Sequence, residues 1–253
     1  MQIDVDLAGR RVLVTGASSG IGAAVCRSIV ACGGSVAMLA RRKEKLESLV
    51  GELGDRSVAL PCDVTDFDAL RGAVDEAASS LNGLDGVVAV AGRSMVGTIT
   101  TGTPERWREL IELNLLGPLA TVRFSAAHFP KEGRRDVVLV ASTGALTPMT
   151  GVGVYSASKR GLRAAFDALR LELAAEGVSV SCVMPGMFDT EGLTMDGVMF
   201  DGDIPPSDIP WFAGDGGPES PVALADTISF MISRPEGFSI NEVVARPTSQ
   251  LNP

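Results

Sequence analysis

At residues 15–22 the chain reads Thr15-Gly16-Ala17-Ser18-Ser19-Gly20-Ile21-Gly22, a glycine-rich turn between an apolar strand pattern and an apolar helix pattern. The glycines allow a tight turn and close approach of the backbone to a pyrophosphate, and the helix N-terminus offers free N–H groups to the phosphates. The spacing is G-x-x-x-G-x-G, not the commoner G-x-G-x-x-G, and a glycine cluster alone can be a simple turn. Its strand–turn–helix setting favours a dinucleotide-binding turn.

Strand and helix patterns alternate along the rest of the 253 residues. Short β-branched or apolar runs lie at 11–15, 35–40, 57–62, 86–91, 136–141, 178–184 and 240–245. Most are continuously apolar, as expected of parallel strands buried on both faces. Helical patterns lie at 21–31, 43–52, 66–81, 104–129, 155–176 and 221–233. We therefore predict one α/β domain over residues 1–253, a doubly wound parallel seven-stranded sheet with helices on both faces.

The composition restricts the class of protein. Hydrophobic residues make up 45% and charged residues 21%, which is typical of a soluble globular chain, and the net charge of −9 argues against nucleic acid as a partner. We find no secretory signal pattern and no apolar run of transmembrane length, so we expect no membrane association. Four scattered cysteines and a single histidine, His128, predict reduced thiols, no metal site and a cytoplasmic location. The missing G-x-S-x-G elbow disfavours a Ser-His-Asp hydrolase.

Residues 187–219 interrupt the alternation with ten glycines and prolines. A loop of this length is either a lid over a binding site or a disordered segment. Phe188, Trp211 and Phe212 favour a lid, because disordered segments carry fewer large apolar side chains. We therefore expect these three side chains to contact a small-molecule substrate.

The end of the second strand pattern reads Ala40-Arg41-Arg42-Lys43. An acidic residue here would bind the ribose 2′-hydroxyl of NAD, whereas an arginine accommodates the 2′-phosphate of NADP. Arg41 and Arg42 therefore favour NADP(H) as the cofactor. The alternative is that the basic residues only solvate a helix start, although positive charge at that position opposes the helix dipole.

Asp63 and Val64 follow the third strand pattern. At a strand end the Asp63 carboxylate could accept a hydrogen bond from the adenine amino group of a dinucleotide. It could equally start the next helix near Thr65. The sequence leaves both readings open.

Ser142, Tyr155 and Lys159 form the second informative set. Tyr155 and Lys159 are four residues apart in a helix pattern, so their side chains fall on one face. A nearby ammonium favours the phenolate, so we expect Lys159 to lower the pKa of Tyr155. Ser142 follows the fifth strand pattern, and open α/β sheets place their ligands outside the carboxyl ends of strands. Its hydroxyl can orient a carbonyl or alcohol oxygen.

Joined to the glycine turn, this set resembles the short-chain dehydrogenase/reductase family, in its short single-domain NADP(H)-preferring form, over nearly the whole chain. The resemblance implies a Rossmann-type sheet and hydride transfer between a nicotinamide and a carbonyl or secondary alcohol. It assigns the general acid/base to Tyr155, contact with the nicotinamide ribose to Lys159, and polarisation of the substrate oxygen to Ser142. It further implies that Asn114, in Leu113-Asn114-Leu115-Leu116-Gly117, supports a proton relay, and that Pro185, Gly186 and Thr190 contact the cofactor.

One motif departs from the family pattern. Where the family has Asn-Asn-Ala-Gly, this chain has Ala89-Val90-Ala91-Gly92. Ala91 and Gly92 still permit backbone contacts with the cofactor, but the amides that brace the strand are absent. We expect the change to affect the stability of the strand more than catalysis.

These observations predict an NADP(H)-dependent oxidoreductase that interconverts a ketone or aldehyde and an alcohol. The alternatives are an NAD-dependent alcohol dehydrogenase of the same fold and a non-catalytic dinucleotide-sensing protein. The resemblance also implies a homodimer or homotetramer. The helix pattern 155–176 is apolar on more than one face, which is compatible with a second copy as partner.

Overall fold

A parallel sheet forms the centre of the computed structural model, which describes residues 5–194, 197–202 and 219–250. The strands are β1 (Arg11–Thr15), β2 (Ser35–Ala40), β3 (Ser57–Pro61), β4 (Gly86–Ala89), β5 (Met95–Gly97), β6 (Asp136–Val140), β7 (Ser179–Pro185), β8 (Met199–Asp201) and β9 (Glu242–Ala245). Seven of them form the sheet in the order β3-β2-β1-β4-β6-β7-β9, every pair parallel. The predicted doubly wound, Rossmann-type sheet is confirmed.

Helices cover both faces of this sheet. They are α1 (Gly20–Ala31), α2 (Lys43–Leu53), α3 (Phe67–Ser80), α4 (Pro104–Ile111), α5 (Gly117–Ser125), α6 (Gly153–Ala174) and α7 (Val222–Ile232). Alternate residues of β1 point to opposite faces: Val12 and Val14 pack in the core under α1 and α7, and Leu13 packs in the core under α3 and α6. The run of buried residues in each central strand is explained by these two cores.

The helical segment predicted over residues 104–129 is confirmed for residues 104–128, but it is not one regular α-helix. A π-helical turn at Glu112–Leu116 separates α4 from α5, and a short 3₁₀ turn at Ala126–His128 follows α5. The π turn contains Asn114, which is completely buried. Periodicity could not reveal this interruption, because one widened turn leaves the apolar pattern nearly unchanged.

The strands β5 and β8 were not predicted. They pair in parallel outside the main sheet, with Met95 opposite Met199 and Gly97 opposite Asp201. A Cβ at Gly97 would lie 2.1 Å from the Asp201 carbonyl oxygen, so this pairing depends on glycine. The predicted loop 187–219 is therefore held to the exit of β4 through β8. Trp211 and Phe212, predicted to contact substrate, lie outside the described residues.

Within the described parts of the chain, none of the helices combines the length and apolar character that a membrane span requires.

Candidate functional site

A long cleft of about 580 Å³ opens at the carboxyl ends of β1 to β4. Its lining includes every residue that the sequence assigned to the phosphate, adenosine and ribose parts of a dinucleotide: Gly16, Ser18, Ser19, Gly20, Ile21, Gly22, Arg41, Arg42, Asp63, Val64, Ala91 and Gly92, together with Thr190. The strand order reverses between β1 and β4, since β2 and β3 follow β1 on one side and β6, β7 and β9 follow β4 on the other, and ligands of open α/β sheets bind at such a switch point.

The glycine turn leaves no room for side chains. A Cβ at Gly16 would lie 2.9 Å from the Ala91 nitrogen, and one at Gly22 would lie 2.3 Å from the Gly16 carbonyl oxygen. Gly16 and Gly20 also have positive φ angles, +68° and +52°. The turn therefore brings bare backbone and the N-terminus of α1 to the floor of the cleft, a cradle suited to a pyrophosphate.

Arg41 and Arg42 both lie at the rim of the long cleft. Arg41 is mostly exposed, and its Nη1 lies 3.7 Å from Asp63 Oδ2. Arg42 instead turns toward the glycine turn, where its Nη2 donates to Ser18 Oγ at 2.9 Å and to Ser19 Oγ at 2.7 Å. Two guanidinium groups at this rim provide the donor set that a phosphate monoester requires.

Asp63 has a structural role that the sequence left open. Its Oδ1 accepts hydrogen bonds from the Thr65 backbone nitrogen at 3.0 Å and from Thr65 Oγ1 at 2.8 Å. The N-cap of α3 is Asp66, whose Oδ1 accepts from the Ala69 nitrogen. Asp63 thus orders the turn before the helix while its carboxylate still lines the cleft, so a contact with adenine remains a prediction.

The end of β4 is braced from the neighbouring strand. Thr15 Oγ1 accepts hydrogen bonds from the backbone nitrogens of Val90 and Ala91, each at 3.2 Å, and Thr15 is almost completely buried. Regular pairing of β4 stops at Ala89, two residues before the predicted end. The Thr15 hydroxyl therefore supports the segment where the family's two asparagines are replaced by Ala89 and Val90.

Asn114 lies behind the cleft and holds the chain after β4. Its Oδ1 accepts from the Arg93 nitrogen at 2.8 Å, and its Nδ2 donates to the Arg93 carbonyl oxygen at 2.9 Å and to Ser158 Oγ at 3.2 Å. The side chain thus satisfies both backbone groups of one residue and reaches α6. The π turn brings this amide to the chain that follows β4, whereas a regular α-helix would carry it past that chain.

Tyr155, Ser142 and Lys159 meet in a short arm of the site, which the structure also lines with Pro185, Gly186 and Phe188. Lys159 Nζ donates to the Val140 carbonyl oxygen at 3.1 Å, and Ser142 Oγ accepts from the Gly144 nitrogen at 3.1 Å. Tyr155 is hydrogen-bonded to Ser142 and also to Ser94, which the sequence did not single out. The position of Ser94 in the segment that follows β4, two residues after Gly92, was the available signal.

The expected effect of Lys159 on Tyr155 is not found, and that prediction was wrong for the protein alone. Burial raises the pKa of Tyr155 above its ordinary value of 10, and the hydrogen bonds with Ser142 and Ser94 act in the opposite direction without cancelling it. Burial also lowers the pKa of Lys159 to about 8. Sequence spacing places two groups on one helix face, whereas desolvation depends on everything packed around them.

An apolar chamber adjoins the short arm on the other side of Tyr155. Apolar side chains of Met149, Val152, Met187 and Leu193 line it, together with polar groups of Ser94, Ser142, Thr143, Tyr155 and Gln250. Gln250 Oε1 accepts from the Met187 nitrogen at 2.8 Å, so the C-terminal segment forms part of the wall. The Tyr155 and Ser142 side chains therefore lie between the arm and the chamber.

Phe188 is not a chamber residue. Its side chain is buried in the core under α1 and α7 and lines only the short arm. Its backbone bridges Glu219, so the predicted loop leaves the sheet from a fixed point.

Known proteins resemble this chain over the segments that form both the long cleft and the short arm. The family model for short chain dehydrogenases matches residues 10–196, a span that contains both the glycine turn and Tyr155. Glycine betaine reductase from Emericella nidulans is 33% identical over 249 residues, which cover 96% of this chain but only 19% of that protein. This chain therefore spans about a fifth of that relative's length.

Two solved structures have nearly the same backbone. A dehydrogenase/reductase from Sinorhizobium meliloti has a TM-score of 0.83 and 27% sequence identity, covering 98% of this chain and 97% of that one. A short chain dehydrogenase from Burkholderia cenocepacia in complex with NADP has a TM-score of 0.81 and 29% identity, covering 95% and 97%.

Proposed function

The chain belongs to the short chain dehydrogenase family, and on that premise we propose that it is an NADP(H)-dependent oxidoreductase that interconverts a ketone or aldehyde and the corresponding alcohol. One observation carries the proposal: Tyr155 and Ser142 line both the arm that continues the long cleft and the apolar chamber. A proton donor between a nucleotide cleft and an apolar chamber is the arrangement that carbonyl reduction requires.

The residues of the long cleft fit a dinucleotide. Backbone groups of the glycine turn would hold the pyrophosphate, and Arg41 and Arg42 would hold the 2′-phosphate. Asp63 and Val64 would contact the adenine, and the backbone of Ala91 and Gly92 the neighbouring ribose. Lys159, Pro185, Gly186 and Thr190 would hold the nicotinamide end. When bound, NADP(H) supplies or accepts the hydride, and the solved relative in complex with NADP supports this choice of cofactor.

Side chains of the protein would deliver the proton that carbonyl reduction consumes. Ser142 Oγ would donate a hydrogen bond to the substrate oxygen and polarise the carbonyl. Because burial raises the pKa of Tyr155 from its ordinary value, its hydroxyl stays protonated at neutral pH and can donate a proton to that oxygen. Lys159 and the backbone held by Asn114 would return a proton to Tyr155.

The chamber indicates the substrate class. Its four apolar side chains and few polar groups suit a small carbonyl compound of apolar or mixed polarity. Phe188 is buried in the core and lines the short arm, so it would shape that arm and would not contact the substrate directly. A lid over residues 187–219, a cytoplasmic location and a homodimer or homotetramer remain predictions.

Fluorescence titration with NADPH and NADH tests the cofactor. We expect NADPH to bind more tightly, and Arg41→Ala to remove the preference. Lys43→Met is the matched control, since it also removes a positive charge close to Arg41. Lys43 is the first residue of α2 and pairs with Glu47 at 3.6 Å. Equal affinities of the wild type for NADPH and NADH would contradict the preference for NADP(H) and support the NAD-dependent alternative. If neither cofactor binds, the proposal of a dehydrogenase is contradicted.

A turnover assay then tests catalysis with a panel of small ketones and aldehydes under NADPH oxidation. We expect turnover that Tyr155→Phe abolishes. Tight cofactor binding without Tyr155-dependent turnover of any compound would instead support the dinucleotide-sensing protein.

A further inference from the structure

The rim of the long cleft contains an internal anion. One oxygen of the Glu191 carboxylate pairs with Arg42 Nη1, and the other pairs with Lys45 Nζ. The same guanidinium donates to the hydroxyls of Ser18 and Ser19. These four side chains, Arg42, Lys45, Ser18 and Ser19, form what we term the rim anion site, and the Glu191 carboxylate occupies it.

Glu191 reaches the site from a distant part of the chain. It lies 149 residues after Arg42, at the start of the turn that follows Thr190. Thr190 packs directly on the glycine turn, because a Cβ at Gly20 would lie 2.9 Å from Thr190 Cβ. Glu191 therefore connects the segment after β7 with the segment that carries Arg42. Thr190 and Glu191 both line the cleft.

The composition of the rim anion site matches a phosphate as well as a carboxylate. A guanidinium presents a planar fork that suits either anion, an ammonium provides a point charge, and hydroxyls donate to further oxygens. A phosphate monoester carries up to two negative charges and three terminal oxygens, whereas the carboxylate offers one charge and two oxygens. Burial is incomplete here, since the Arg42, Lys45 and Glu191 side chains are all about half exposed. Exposed ion pairs are weak, so a stronger anion can displace Glu191.

We propose that Glu191 is an internal competitor for the 2′-phosphate of NADP(H), and that the phosphate displaces it from Arg42 and Lys45. The inference rests on the proposed cofactor and adds two residues to its recognition, Glu191 and Lys45. A dinucleotide without the 2′-phosphate has nothing to exchange with the carboxylate. Glu191 thus affects the affinity for NADP(H) and leaves the affinity for NAD(H) unchanged.

Titration with nucleotide fragments isolates the rim anion site from the chemistry at Tyr155. The probes are adenosine 2′,5′-bisphosphate and adenosine 5′-diphosphate, followed by NADPH and NADH. We expect Glu191→Gln to tighten binding of the 2′-phosphorylated probes about threefold to tenfold, the equivalent of losing a competing exposed ion pair. Binding of the other two probes stays within twofold, and the gain shrinks at high salt.

Two further variants sharpen this test. Lys45→Met removes a cation from the rim anion site and is expected to weaken the 2′-phosphorylated probes alone. Glu47→Gln is the matched control for Glu191→Gln, because it also removes one negative charge, but from α2, where Glu47 pairs with Lys43, and it should alter no affinity.

The competitor role is overturned if Glu191→Gln leaves all four affinities unchanged or weakens them equally, as expected of a residue that only closes the loop. It is also overturned if neither wild type nor Glu191→Gln prefers the 2′-phosphorylated probes. In that case Tyr155-dependent turnover with NADH would still support the oxidoreductase. Conversely, a selective gain in Glu191→Gln without any turnover would support the competitor role and count against the proposed catalysis.

Discussion

The two ends of the sheet use buried charge in opposite ways. At the amino end, the Asp136 carboxylate accepts from Arg10 at 2.8 Å and from Arg134 at 2.5 Å, and Asp85 accepts from Arg10 at 2.7 Å. Arg134 Nη1 also donates to the Pro235 carbonyl oxygen at 2.8 Å, beyond the end of α7. Each charge in this network faces an opposite charge.

At the carboxyl end the Lys159 ammonium is only partly satisfied. Lys159 is 4% exposed, and among the described residues its ammonium finds one hydrogen-bond acceptor, the Val140 carbonyl oxygen. Tyr155 shares its hydroxyl with two serines beside an open chamber. Such groups cost folding free energy, which a ligand can return by supplying the missing partners.

The comparison separates stability from function within one sheet. Paired charge at the amino end ties strands to α7, and the underpartnered Lys159 ammonium lies in the proposed cofactor site at the carboxyl end. Substitutions at the two ends should therefore have different readouts.

The largest expected effect is on turnover. Tyr155→Phe removes the proposed proton donor, so kcat/KM should fall about 10²- to 10⁴-fold while the Kd for NADPH and the thermal midpoint stay near their wild-type values. Steady-state kinetics and a thermal melt measure both. Retained turnover would remove Tyr155 from the acid/base role.

The amino end should respond in stability instead. Asp136→Ala removes the carboxylate that Arg10 and Arg134 share, which leaves the largely buried Arg134 without its ion-pair partner and Arg10 with Asp85, and we expect the free energy of unfolding in urea to drop by about 3–5 kcal/mol. The kcat of the folded variant should not change. Glu52→Gln, at the half-exposed pair with Arg27, is the control and should cost less than about 1 kcal/mol. Similar losses in both variants would contradict the distinction between the two ends.

Lys159 gives the carboxyl end a pH signature. Because burial lowers its pKa from 10.5 to about 8, an unfolded chain binds a proton between these values that the folded chain has lost. The Lys159 contribution to the free energy of unfolding therefore rises with pH across this window, by about 3 kcal/mol in full, and falls away as the pH drops to 8.

Urea titrations of wild type and Lys159→Met from pH 7.5 to 10.5 measure this contribution as the difference between the two proteins. Tyr155 and the cysteines titrate in both and largely cancel. A difference that does not grow with pH would show that Lys159 keeps an ordinary pKa.

The smallest effect concerns the brace under β4. Thr15→Val leaves the Val90 and Ala91 nitrogens without their acceptor, and we expect a loss of about 1–3 kcal/mol in unfolding free energy together with weaker cofactor binding. Thr15→Ser retains the hydroxyl and should recover most of both. An unaltered Thr15→Val would mean that the strand end needs no brace.

Local patterns predicted the sheet because each strand is a short apolar run between turn residues. All seven sheet strands lie within two residues of their expected bounds. The strands β5 and β8 have three residues each, too few for a periodic signal, and they depend on a partner about a hundred positions away. The candidate site shows the same difference between local and long-range features. The residues of local motifs that line the long cleft were predicted, and the contacts between segments distant in sequence were not.

Glu191 and Ser94 illustrate that difference. Nothing near Glu191 in sequence indicates that it faces Arg42 and Lys45, because the contact arises only when the chain after β7 returns to the glycine turn. Ser94 is brought to Tyr155 by the way Asn114 holds the preceding residue. The raised pKa of Tyr155 is likewise a property of packing, which motif spacing does not contain.

The chain between Asp201 and Glu219 leaves and returns at fixed points. The β5–β8 pair holds one end, and the Asp189 nitrogen donates to the Glu219 carbonyl oxygen at 2.7 Å to hold the other. Closing a longer segment between fixed ends costs only about 0.6 kcal/mol for each doubling of its length. This interval is consequently a natural place to graft segments of other lengths and compositions in order to alter the substrate range, while the sheet and the proposed acid/base residue Tyr155 stay unchanged.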